Sequence, residues 1–299
     1  MTRFDLPSGS EAPQLLQPCP LVPVLRVTAI IDAPTCTVAG LLREAALLTE
    51  SMRRCGHSAD VPQPFLTIGD HVRLRVRLLP GLRLPLVTTV THADAAGWAS
   101  RLVSGGLPEL ELSTILSETP AGALVLDEIR WRAPWGALGR VLDVAVARRL
   151  VLRLLAVHRL LLISRAAELA GADIVVGAAV VRDGRLLVAR RSRPADLAGR
   201  WELPGGQVEP GEPEADALAR ECLEELAVTI IVGDQVGPDL PLGRRRLLRI
   251  YAATLPAGEP RAIEHAELRW VRATELRTLD WLPADRAVLP ELSELLRSR

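Results

Sequence analysis

Trp201-Glu202-Leu203-Pro204-Gly205-Gly206-Gln207-Val208-Glu209-Pro210-Gly211-Glu212-Pro213-Glu214-Ala215-Asp216-Ala217-Leu218-Ala219-Arg220-Glu221-Cys222-Leu223-Glu224-Glu225-Leu226-Ala227-Val228 is the most informative stretch of this 299-residue chain. Its first part is a glycine- and proline-rich loop; its second part has helical periodicity, with Pro213 suited to a first helical turn, where its missing N–H is not needed. Glu221, Glu224 and Glu225 stand at i, i+3 and i+4, so their carboxylates share one helix face. Leu218, Cys222 and Leu226 line the opposite face and are expected to be buried. Three carboxylates on one face repel one another and need a positive partner. A hard cation that prefers oxygen ligands and also binds phosphate oxygens, such as Mg²⁺, is the natural one.

The spacing resembles the Nudix box, G-x5-E-x7-R-E-U-x-E-E-x-G-U, where U is apolar. Gly206, Glu212, Arg220, Glu221, Cys222, Glu224, Glu225 and Val228 fit it, and Ala227 stands where that family has Gly. A helix-ending Gly usually takes φ > 0, which costs Ala roughly 1 kcal/mol, so local adjustment is expected there. The resemblance implies that Glu221, Glu224 and Glu225 ligate Mg²⁺, or Mn²⁺ in its place, with the Gly205 carbonyl. It also implies that Glu212 and Arg220 form a structural ion pair beside Gly206. Cys222 fills an apolar position and is expected to pack, not to react.

The lead from Trp201 to Gly206 resembles that of MutT-type nucleoside triphosphate pyrophosphohydrolases. By the same resemblance Arg190 and Arg191 contact substrate, and Glu264, which leads the stretch 262–271, adds a carboxylate to the metal site. Asp285, in Trp281-Leu282-Pro283-Ala284-Asp285, matches the residue held against the nucleobase. A carboxylate there can accept from cytosine N4 or from N–H groups of an oxidised guanine. The reaction implied is NTP + H₂O to NMP + PPi, on 8-oxo-dGTP-like or (d)CTP-like substrates. A nucleotide-sugar or dinucleotide diphosphatase is the alternative within the family, and a ligand-responsive Nudix regulator is the alternative outside catalysis. The intact carboxylate set weighs against the regulator.

Composition narrows the remainder. The chain is 48% hydrophobic and 24% charged, the profile of a globular protein. Its 36 basic and 36 acidic residues cancel, so no general attraction to nucleic acid polymers is expected. All the basic residues but the five His are Arg, which excludes Schiff-base and Walker-type lysine chemistry. Cys19, Cys36, Cys55 and Cys222 have neither zinc spacing nor a disulfide-scaffold pattern. With no signal-peptide pattern and no apolar stretch of membrane-spanning length, a cytoplasmic protein without a membrane span is expected.

Upstream, prolines crowd residues 1–23, which read as an irregular arm. A strand over 24–31 ends at Asp32-Ala33-Pro34, and residues 35–53 show helical spacing. Strands are expected over 65–68, 72–78, 86–91, 98–103, 110–116 and 124–131. Arg73, Arg75 and Arg77 alternate with Val72, Leu74, Val76 and Leu78, as on a sheet with one wet face. Residues 137–170 predict a long helix of roughly 45–50 Å. This order resembles the helix-grip (START/Bet v 1-like, SRPBCC) superfamily, and Val27-Thr28-Ala29-Ile30-Ile31-Asp32-Ala33-Pro34 looks like its first strand and turn. That resemblance implies a curved sheet around a helix, with an apolar ligand or a structural role. His57, His71 and His92 are scattered and suggest no catalysis. A hairpin signal at Asp183-Gly184 opens the second domain. The expected layout is α+β: an arm over 1–23, a helix-grip domain over 24–170 and a Nudix α/β/α sandwich over 171–299. The sequence carries no signal for oligomeric state.

Overall fold

The computed structural model describes residues 24–79, 81–132 and 147–298. In the first half, β1 (Val24–Ile31) leads to α1 (Thr35–Arg43) and α2 (Ala45–Arg54). There follow β2 (Ser58–Asp60), β3 (His71–Leu79), β4 (Leu82–Asp94), β5 (Gly97–Gly105), β6 (Glu109–Thr119), β7 (Gly122–Arg132) and α3 (Arg148–Leu169). The strands form one curled antiparallel sheet, ordered β1-β7-β6-β5-β4-β3-β2. Hydrophobic alternation predicts this sheet well: Val72 is buried, whereas Arg73, Arg75 and Arg77 face water. Leu155, Leu162, Ala166 and Leu169 of α3 pack onto it, meeting Leu25, Leu110 and Ile129 in one cluster and Ile31, Leu116 and Val125 in another.

Two expectations change here, and a third is covered only in part. The helical segment 35–53 is two helices, because Glu44 takes an extended conformation (φ −68°, ψ 109°) between them. Residues 65–68 are not a strand. Phe65 makes an isolated bridge to Glu44, and Asp70 turns the chain by accepting from the Thr67 N–H at 2.9 Å and the Thr67 hydroxyl at 3.0 Å. The predicted helix over 137–170 is seen as Arg148–Leu169, and its earlier part lies outside the described residues, as does the arm over 1–23.

The second half contains β8 (Asp173–Arg182), β9 (Arg185–Arg190), β10 (Trp201–Glu202), β11 (Gly205–Gln207) and α4 (Glu214–Leu226). Next come β12 (Ile231–Gln235), β13 (Leu240–Pro241), β14 (Arg246–Thr254), β15 (Glu267–Val271), a 3₁₀ turn (Leu276–Thr278), α5 (Pro283–Ala287) and α6 (Leu289–Arg297). Asp183 (φ 50°) and Gly184 (φ 65°) make the expected hairpin turn. The mixed sheet runs β10-β9-β8-β14-β12, with β8 and β14 parallel. Alternate residues of β8 serve opposite layers. Val176, Ala178 and Val180 meet Leu218, Cys222 and Leu226 of α4, while Ala179 and Val181 share a cluster with Val288, Leu289 and Leu292. Pro213 proves to be the N-cap, one residue before the helix begins.

Buried polar contacts join the halves. Arg43, 1% exposed, donates to the carbonyls of Ala287 (2.7 Å) and Ala93 (2.9 Å) and pairs with Glu291. Asp239, fully buried, accepts from the Thr37 hydroxyl at 2.8 Å and from Arg249 Nε at 3.1 Å. Arg286 donates to Asp70 at 2.9 Å. Gly40 lies so close to the Asp239 carbonyl that a Cβ there would overlap it. Leu247 of β14 completes an apolar cluster with Val38, Leu41 and Leu162.

Candidate active site

The carboxylate helix sits where its amphipathic pattern puts it. Leu218, Cys222 and Leu226 are fully buried under the sheet, so Glu221 and Glu225 are turned towards Gly206 and Gly205, while Glu224 is largely exposed. Arg220 clamps that loop. It donates to both Glu212 oxygens at 3.0 Å, to the Gln207 carbonyl at 3.2 Å and to Glu221 at 2.9 Å. The expected Glu212–Arg220 pair is therefore bidentate, and it holds the Glu212 carboxyl below its ordinary pKa. Gly206 lies directly against the Glu221 carboxylate, in space that a Cβ would fill.

The three glutamates differ in environment. Glu224 is 57% exposed, with Arg220 3.7 Å away. Glu221 is held by Arg220. Glu225 accepts the Gly205 N–H at 3.0 Å. Burial, with the charges of Glu221 and Glu202 adding, pushes the Glu225 carboxyl up to about 7 despite that hydrogen bond and nearby His265. Among the described residues no three His, Cys, Asp or Glu side chains are gathered into a ready metal cage. The donors nevertheless fit a hard divalent ion. All are oxygens, one is a half-buried carboxylate, and the glycine beside them leaves room for another.

Long-range pairing adds two residues that the sequence did not single out. The Ile263 and Arg261 N–H groups donate to the carbonyls of Glu225 (3.0 Å) and Leu226 (2.9 Å), pinning the following loop to the end of α4. His265 thereby reaches Glu202 Oε1 at 3.2 Å, with side chains only 6% and 10% exposed. Burial opposes protonation of His265, but the Glu202 hydrogen bond and the Glu225 and Glu202 charges outweigh it and raise its pKa. Glu202 also accepts from Arg191 at 2.5 Å. The available signal was Glu202 itself, a charged residue between Trp201 and Leu203 in a strand-like lead. Glu264 lies on the same loop with its carboxylate half exposed, 3.8 Å from Arg193.

The sequence-singled arginines part ways. Arg190 is 42% exposed and paired with Glu267 at 3.4 Å, while Arg191 lines a cleft of about 520 Å³. Gly205 and Glu202 form one part of that cleft and Asp285 another. Asp285 is placed by backbone pairing. The Trp201 N–H donates to the Asp280 carbonyl and the Leu282 N–H to the Trp201 carbonyl, both at 2.8 Å. The Asp285 carboxylate then accepts the Leu203 N–H at 3.0 Å. Burial, reinforced by Glu202, pushes this carboxyl up to about 7 against that hydrogen bond. Cys222, whose thiol burial pushes up to about 12, is inert packing.

The class of protein that this sandwich, clamped glutamate helix and cleft belong to follows from comparison with known proteins. Residues 172–292 match the NUDIX domain model. A Mycobacterium tuberculosis protein named "Putative 8-oxo-dGTP diphosphatase 2" is 52% identical over 127 residues, 42% of this chain and 90% of that protein. The Escherichia coli CTP pyrophosphohydrolase is 36% identical over 42% of this chain and 94% of its own length. Among solved structures, a MutT Nudix hydrolase from Burkholderia pseudomallei is 34% identical, over 40% of this chain and 96% of that one, with a TM-score of 0.34. The chain belongs to the Nudix hydrolase family.

Proposed function

We propose that the chain is a Mg²⁺-dependent nucleoside triphosphate pyrophosphohydrolase that converts NTP and water to NMP and pyrophosphate. One observation carries this reading: a single cleft joins Gly205, beside the carboxylate helix, to the buried Asp285 carboxylate. The relatives named for 8-oxo-dGTP and CTP hydrolysis support modified purine or cytosine nucleotides as substrates. Glu221, Glu224 and Glu225, with the Gly205 carbonyl and Glu264, are assigned to hold the metal. When bound, a divalent ion there offsets phosphate charge and makes water a better nucleophile. Arg191 and Arg190 are assigned to substrate, Arg191 first because it lines the cleft. Asp285 reads the base edge. Glu202 orients Arg191 and His265 around the half-buried Glu225.

The first half, residues 24–170, is read as a helix-grip domain and 171–299 as the catalytic domain; the curled sheet crossed by α3 supports that division. Pyrophosphate release from a panel of NTPs with Mg²⁺ tests the enzymatic reading. Glu224→Gln is expected to lower turnover by ~10²-fold or more, the usual scale for removing a group that handles charge or protons in the transition state. Chelation with EDTA is expected to abolish turnover, and added Mg²⁺ to restore it. Equal rates for Glu224→Gln and the unaltered chain would sink the assignment. Faster cleavage of nucleotide sugars than of NTPs would redirect it.

A further inference from the structure

The cleft is not built by the catalytic half alone. Glu44 and Phe65, from the first half, line it together with Leu203, Leu248 and Asp285. Their position follows from the break between α1 and α2. Extended Glu44 bridges Phe65, and two hydrogen bonds flank the bridge, Ala45 N–H to Pro64 carbonyl (2.9 Å) and Leu66 N–H to Arg43 carbonyl (2.8 Å). This short ladder is tied to the catalytic half in two ways. Arg43 bonds the Ala287 carbonyl and Glu291. Arg165 donates to Glu44 at 3.3 Å and to the Arg244 carbonyl at 2.9 Å. Phe65, 7% exposed, belongs to the same apolar cluster as Leu203, Leu248 and Ala284.

An aromatic ring and a carboxylate lining the same cleft as Asp285 suit a flat ligand with π faces and N–H groups on its edge. A cleft of about 520 Å³ is of the size that holds a small molecule. We propose that Phe65 and Glu44 are specificity-determining residues of the hydrolase: they form the wall against which the nucleobase is held. This rests on reading the cleft as a nucleotide site. Phe65 supplies the apolar face, and Glu44 adds a second acceptor that favours bases carrying exocyclic amines over thymine. The appended half thereby selects substrates.

The test uses the full chain with Mg²⁺ and separate titrations of dCTP, dTTP, dATP, dGTP and 8-oxo-dGTP. Phe65→Leu is expected to raise KM for the preferred nucleotide about tenfold, leave kcat within about twofold and flatten preference among bases, the scale of a lost apolar contact. Glu44→Gln, half-buried and isosteric, is expected to narrow the dCTP-to-dTTP ratio of kcat/KM and to stay folded if Phe65→Leu does not. Unchanged base preference in Glu44→Gln and in any folded Phe65→Leu overturns the proposal, as does a uniform fall in kcat with preference intact, which marks packing alone. If the unaltered chain releases pyrophosphate from no nucleotide, the nucleotide reading fails and takes this one with it. Activity in the unaltered chain combined with unmoved preference refutes the wall by itself.

Discussion

Ala227 departs from the family's sequence pattern yet takes the left-handed conformation for which a glycine is suited. It ends α4 in the left-handed region (φ 55°, ψ 36°), and its N–H donates to the Leu223 carbonyl at 3.0 Å. The conformation costs a non-glycine residue roughly 1–2 kcal/mol, while glycine loses about 0.4–1 kcal/mol more chain entropy on folding. Ala227→Gly is therefore expected to stabilise the protein by about 0.5–1 kcal/mol in urea unfolding, with activity retained; destabilisation would show that the turn is not strained. Asp285 carries a second prediction. Its carboxyl is pushed up to about 7, so the folded state prefers the proton. The stability it contributes is complete below the ordinary carboxylate pKa of about 4 and is lost as pH rises through about 7. Asp285→Asn keeps an acceptor for the Leu203 N–H and removes the titration. Its stability relative to the unaltered chain should grow by at least about 1 kcal/mol between pH 5 and pH 8, read by thermal or urea unfolding. A constant difference would contradict the assigned shift. At this scale the glutamates of α4 were legible because their geometry is local to one helix. Glu202 and His265 were not, since they meet only through strand pairing and loop anchoring across 63 positions.

Elements were legible where period and burial agree. The strand at 72–78 and the paired strands around Asp183-Gly184 announce themselves, because each buries one face or reverses at a turn with positive φ. Residues 35–53 misled for a physical reason. Apolar positions continue through Glu44 in helical spacing, but Ala45 N–H and Arg43 carbonyl are used by the segment around Phe65, and that pairing breaks the helix. Residues 65–68 misled in the converse way, since an apolar run bounded by turns cannot be told from a strand by composition. The packing of α1 provides a prediction at this scale. Gly40 contacts the Asp239 backbone, which cannot retreat as a flexible side chain could. Gly40→Ala is expected to cost about 1–3 kcal/mol or more, even though alanine favours helices. A gain in stability would mean that the halves are packed more loosely there.

For the whole molecule, sequence indicated two domains but not how they are joined. Residues with no motif of their own, Arg43, Thr37 and Asp70, gain meaning only when Glu291, Asp239 and Arg286 arrive from more than two hundred positions away. Arg43 is the most consequential, because its removal strands Glu291 and two backbone carbonyls inside the protein. Arg43→Ala is expected to cost roughly 3–5 kcal/mol, the range for breaking a buried charge pair. Calorimetry should show the transition shift or divide; an unaltered single transition would deny Arg43 that role. The shared cleft has a further consequence, one of mass action. A molecule bound between two bodies that together make its walls is also an adhesive for them, and at a hundredfold excess over its Kd it adds about 2.7 kcal/mol to the assembly. Substrate supply would then set how firmly the halves cohere, with well-fed enzyme melting as one body and starved enzyme melting earlier.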